Sequence, residues 1–146
     1  MTTNKAPESP RQVGQTRSVG FNVGARRTFD LTPVQAWDWI TSPAGVALWL
    51  GDVIDGLPHA PGQPYATRDG AQGEIRVFAP GSHLRLTWQP SSQARPSLIQ
   101  VRVLPAVKGA TIAFHQEHLA GPRDREEMKQ RWQRVLAEME SLLSAD

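Results

Sequence analysis

The chain has 146 residues, a formal net charge of +2, five tryptophans and no cysteine. That length suits one domain with a real core, and the missing cysteines exclude disulfides, thiolate metal sites and a cysteine nucleophile. No run approaches the ~20 apolar residues of a membrane-spanning helix, and the start, MTTNKAPESPRQVGQT, holds no apolar signal segment, so a cytoplasmic location is expected.

Residues 1–16 are polar, contain Pro7 and Pro10, and read as a disordered tail before a single domain over residues 17–146. From Val19 the pattern alternates through Phe21, Val23, Ala25, Arg27 and Phe29, which predicts a long strand with one apolar face, ending at Leu31. Thr32-Pro33-Val34-Gln35 then carries a capping box with proline in the first helical position. The short helix it opens puts Val34, Trp37 and Ile40 on one face. Ser42-Pro43 restarts the chain as a second short helix to Leu50, presenting Val46, Trp49 and Leu50. Residues 53–63 read as loop.

Five strands are predicted next, over residues 63–68, 73–78, 82–89, 98–104 and 110–119, with turn signals at Asp69-Gly70, Pro80-Gly81 and Lys108-Gly109. Alternation places Ile75 with Val77 on one face. It does the same for Leu84, Leu86 and Trp88, for Ile99, Val101 and Val103, and for Ile112, Phe114, Gln116 and His118. The span from Pro122 to Leu143 reads as one long amphipathic helix. Met128, Trp132, Val135, Leu136, Met139, Leu142 and Leu143 share its apolar face; Arg125, Lys129, Arg131, Arg134 and Glu138 lie on the other. A single apolar-faced helix after a run of short strands needs a broad surface to lie on. The fold class is therefore α+β: a curved antiparallel sheet of about six strands wrapped around the C-terminal helix, with two short helices after the first strand and that strand beside the last.

That order resembles the START-like, helix-grip (SRPBCC) superfamily, and within it the branch named for the activator of the 90-kDa heat-shock-protein ATPase. The segments that carry the resemblance are RRTFDLTPVQAWDWITSPAGVALWLGD, the DG…GEIRVFAPGSHLRLTW run, KGATIAF and HLAG…RWQRVLAEMESLL, together covering residues 19–143. The resemblance implies a cavity between sheet and helix that takes apolar or amphipathic small molecules. Some members are cyclases, hydrolases or chaperone partners. The namesake proteins carry an additional chaperone-engaging domain for which this chain has no room, so a co-chaperone role is not expected.

The residues expected to line such a cavity are Trp37, Trp49, Leu50, Trp88, Phe114, Gln116, His118, Met128 and Trp132. For each tryptophan the alternative is plain core filling. Gln116 and His118 are expected to look inward and to form a polar anchor at one end of an apolar pocket; for His118 the alternative is a bond to backbone near the helix start. Arg27 shares parity with apolar residues, which requires a bulge, a snorkelling side chain or a guanidinium in the cavity mouth.

Arg76, Arg85 and Arg102 fall on the outer sheet face together with Glu74 and Glu117, a mixed face that does not track phosphates, and no nucleic-acid partner is expected. His115 and His118 point to opposite faces and His59 and His83 lie on other elements, so no metal site is expected. There is no phosphate loop, dinucleotide glycine fingerprint or GxSxG elbow, and neither a cofactor nor a catalytic residue is assigned. The leading reading is a non-catalytic, small-molecule-binding domain. The alternative is a protein-interaction or chaperone-associated module acting through the outer sheet face or the helix; a cyclase- or hydrolase-type enzyme comes third.

Overall fold

The computed structural model of the protein describes Gln15–Thr16 and residues 20–143; most of the expected tail, and Val19, lie outside that range. The elements are β1 (Gln15–Thr16), β2 (Gly20–Phe29), α1 (Pro33–Ile40), α2 (Pro43–Trp49), β3 (Pro64–Ala66), β4 (Gln72–Ala79), β5 (His83–Trp88), β6 (Ser97–Ala106), β7 (Gly109–Leu119) and α3 (Pro122–Leu143). The strands form one antiparallel sheet in the order β1-β2-β7-β6-β5-β4-β3. The long first strand does sit beside the last. All six expected strands are present, and a short β1 joins them where Gln15 and Thr16, inside the stretch expected to be tail, pair with Phe21 and Gly20.

The local signals at the two short helices act as their chemistry dictates. The Thr32 hydroxyl accepts from the Gln35 backbone N–H at 3.1 Å, and the Gln35 side chain accepts from the Thr32 N–H at 2.9 Å. Ser42 caps α2 by accepting from the Gly45 N–H, with Pro43 at the first position. The predicted face of α1 needs one correction. Val34 is 69% exposed, and Ala36 joins Trp37 and Ile40 in the core instead.

Two β-bulges correct the predicted strand faces. In β4 the register shifts between Ile75 and Val77, so that Ile75 stays inside, Val77 moves to the outer face and Phe78 turns inward opposite Leu84. In β7 one extra residue lies between Gln116, which pairs with Val23, and Leu119, which pairs with Phe21. His118 takes a positive φ of 67° there. A bulge inserts one residue and reverses the alternation beyond it. His118 is therefore exposed, and Leu119 takes the buried place that parity gave to the histidine.

The inner face of the sheet carries the core, covered by α1, α2 and α3; α3 approaches β2 more closely than any other strand. Met128, Trp132, Val135, Leu136 and Met139 are buried as expected, while Leu142 is exposed. Arg27 holds its strand register without a bulge, and its guanidinium reaches Glu140 of α3 at 2.7 Å. It snorkels along the helix rather than entering the core.

Candidate functional site

The seam between sheet and α3 is built on a stack of aromatic rings. Phe114 of β7 lies face to face with Trp132 of α3, ring centres 4.4 Å apart, and Trp49 of α2 packs tilted against Phe114 at 6.0 Å. Indole and amide groups buried this deeply need partners. Trp132 Nε1 donates to Gln116 Oε1 at 3.0 Å, and Gln116 Nε2 donates to Ser97 Oγ at 2.8 Å. Ser97 in turn faces the Trp88 carbonyl at 3.4 Å. Trp49 Nε1 donates to the Ile40 carbonyl at 2.9 Å.

The structure thus brings Trp49, Trp88, Phe114, Gln116 and Trp132 together, and Leu50 and Met128 are buried in the same core. Trp37 is buried in that core as well, edge-on to Phe78 at 5.7 Å. His118 leaves the group altogether, because the bulge turns it to the surface. Gln116 is inside, yet both ends of its amide already serve Trp132 and Ser97. The polar anchor expected from His118 and Gln116 therefore does not form as drawn.

A different polar group holds the mouth of the seam. Arg131, expected on the solvent face of α3, folds back over the body. Its Nη2 donates to the Trp49 carbonyl at 3.0 Å, and its guanidinium carbon sits 5.0 Å from the Trp88 ring centre and 5.5 Å from that of Trp132. A cation between two indole faces is stabilised by the ring quadrupoles. Burial lowers the Arg131 pKa, and the charge of Asp69 opposes that fall. Asp69 itself is held below the usual carboxylate range, first by the Thr67 hydroxyl. Tyr65 donates to the Thr87 carbonyl at 2.6 Å, and burial pushes its hydroxyl well above the ordinary tyrosine range. Beside Arg131, Trp88 Nε1 is buried and has no hydrogen-bond partner among the described residues.

Sequence reasoning missed Arg131 because helical spacing alone puts it at the edge of the polar face. The one signal was its position directly before Trp132, which does not say which way a long side chain bends.

A long helix laid on an antiparallel sheet, with two short helices inserted after the long first strand, defines the helix-grip, START-like class of α+β domains. Within that class the chain belongs to the Activator of Hsp90 ATPase homolog 1-like family, whose model matches residues 30–144. Solved structures agree in fold. Protein MLL2253 from Mesorhizobium loti superposes with a TM-score of 0.73 at 20% identity, over 85% of this chain and 97% of that one. CalU16 from Micromonospora echinospora gives 0.72 at 17% identity, over 84% and 76%. The AHSA1 protein from Silicibacter pomeroyi gives 0.62 at 19% identity, over 85% and 98%. No curated protein matches the sequence. Family membership supports a ligand-binding type of domain in general terms. No helix among the described residues is long and apolar enough to cross a membrane.

Proposed function

We propose that the protein binds one amphipathic small molecule at the sheet–α3 seam, without catalysing a reaction on it. The observation that supports this reading most is the unpartnered, buried N–H of Trp88 beside the Arg131 guanidinium. A buried donor left without an acceptor costs about 1–3 kcal/mol. An acceptor-bearing head group, such as a carboxylate or carbonyl, would relieve that cost and lie against a fixed cation. The apolar part would follow the rings of Trp88, Trp132 and Trp49. Those rings fill the seam in the free protein, so the ligand would have to part them. The polar end is preformed and the apolar end opens on binding.

The test is displacement of a fluorescent apolar probe by decanoic acid, decanol and decane. The acid is expected to compete best and the alkane worst, by about tenfold or more, as for a hydrogen bond to a charged group. Arg131→Leu and Trp88→Phe should each flatten that order. Equal displacement by all three ligands in the unmodified protein would sink the reading.

A further inference from the structure

The outer face of the sheet carries a second feature, on the side away from the seam. Arginines are spread over this face, but the structure separates those that are neutralised from those that are not. Arg76 pairs with Glu74 at 3.5 Å, and Arg85 pairs with Glu117 at 3.4 Å. Glu117 is also 3.6 Å from His115 Nδ1. Among the described residues, Arg26 and Arg102 have no ion pair.

The register brings these two together. Arg102 of β6 and Arg26 of β2 both lie opposite Ala113 of β7. They flank it from either side, their Cα atoms roughly 10 Å apart at two strand spacings. The next row holds Gly24 opposite His115. Ala113 and Gly24 add almost no side-chain bulk, so they floor a groove of about 480 Å³ between the two guanidinium arms. Burial, then the charges of Arg102 and Arg85, holds His83, opposite Arg102 on β5, below its ordinary pKa.

We infer that this groove is a binding site for the phosphate or diphosphate group of a small molecule. Two guanidinium forks without carboxylate partners match the oxygens of such a group bidentately, and each fork needs a full negative charge opposite it. The small floor lets the anion approach the sheet between them. The groove volume falls within the range of small-molecule sites, about 300–1,000 Å³. Glu117, further along the face, would repel an extended acidic chain, so a compact anion fits better than an acidic peptide.

The experiment is a titration of the full chain, followed by amide and arginine Nε–H NMR signals at constant ionic strength. The probes are inorganic pyrophosphate and, separately, a hexaglutamate peptide. Pyrophosphate is expected to give saturable shifts confined to Gly24, Arg26, Arg102, Ala113 and His115. Arg26→Gln and Arg102→Gln should each weaken binding at least tenfold. Arg76→Gln, which removes an arginine already paired, should leave it unchanged. Dispersed spectra of the variants show that they remain folded. Unsaturable shifts spread over all arginines would overturn the assignment, and so would tighter binding of hexaglutamate than of pyrophosphate. An unchanged affinity in both variants would overturn it as well.

Discussion

Gln116 joins sheet and helix by a route that two substitutions can separate. Trp132→Ala removes a fully buried indole and should cost about 3–5 kcal/mol. Trp132→Phe keeps a ring against Phe114 but strands Gln116 Oε1, whose donor among the described residues is the Trp132 N–H. An unpaired buried acceptor is expected to cost about 1–3 kcal/mol. Denaturant unfolding of both variants checks the order; a neutral phenylalanine variant would mean that the Trp132–Gln116 bond adds nothing. Asp69 offers a pH test at the same scale. Its folded pKa is depressed below that of an ordinary aspartate, chiefly by the Thr67 hydroxyl. The stabilisation it gives is present above that value and is lost as pH falls through the folded pKa. Thr67→Val should bring the Asp69 titration back towards the ordinary carboxylate range, read directly from its carboxyl carbon signal. An unmoved midpoint would show that the hydroxyl is not the cause.

At the scale of elements, what the sequence made legible was whatever is local or periodic. Pro122 to Leu143 could be read to the residue, because proline opens the helix and a repeating apolar stripe defines its length. The α1 cap was legible because its two reciprocal bonds join Thr32 and Gln35, only three residues apart in the chain. The bulges were not. Alternation in β7 continues without a break through Phe114, Gln116 and His118, and a bulge shows only when Leu119 is seen to fit beside Phe21. The same holds for Arg131, since no spacing rule tells a helical arginine that a tryptophan from β5 lies within reach. The bulge can be tested through its backbone. A positive φ of 67° suits glycine and asparagine and penalises β-branched residues. His118→Val should lose about 1–2 kcal/mol, in line with left-handed strain, whereas His118→Gly should stay within about 1 kcal/mol of the parent. Equal losses in both would place the cost in the imidazole rather than in the backbone. Gly109 presents the opposite case, where any side chain is excluded. Its φ is 135°, and a Cβ there would lie 2.1 Å from the Phe29 carbonyl oxygen.

Across the whole molecule, a closed site at the seam differs from a solid core in how it opens. Because α3 lies nearest β2, the space over β5 and β6 is bridged by long side chains, Trp88, Trp132 and Arg131 among them. Large rings packed face to face can serve as plain core, or they can part together as a unit. The two cases differ in the free energy of opening. A solid core exposes its innermost donors only on global unfolding, whereas a site that admits a ligand must open by a smaller, local route. Two indole protons report on this. Trp132 Nε1–H is bonded to Gln116, which ties α3 to the sheet, and Trp49 Nε1–H is bonded to the Ile40 carbonyl at the end of α1. If the seam opens to admit ligand, hydrogen exchange at Trp132 should proceed with a free energy well below that of global unfolding, and Trp49 should be the better protected of the two. Bound decanoic acid should then slow Trp132 exchange by holding the rings around it, with a gain of about 2.7 kcal/mol in overall stability at a hundredfold excess over Kd. If both indoles exchange only at the global unfolding free energy, with and without the acid, the seam is a core and the ligand reading fails. The phosphate site on the outer face would stand untouched by that result, since no residue of the seam contributes a donor to it.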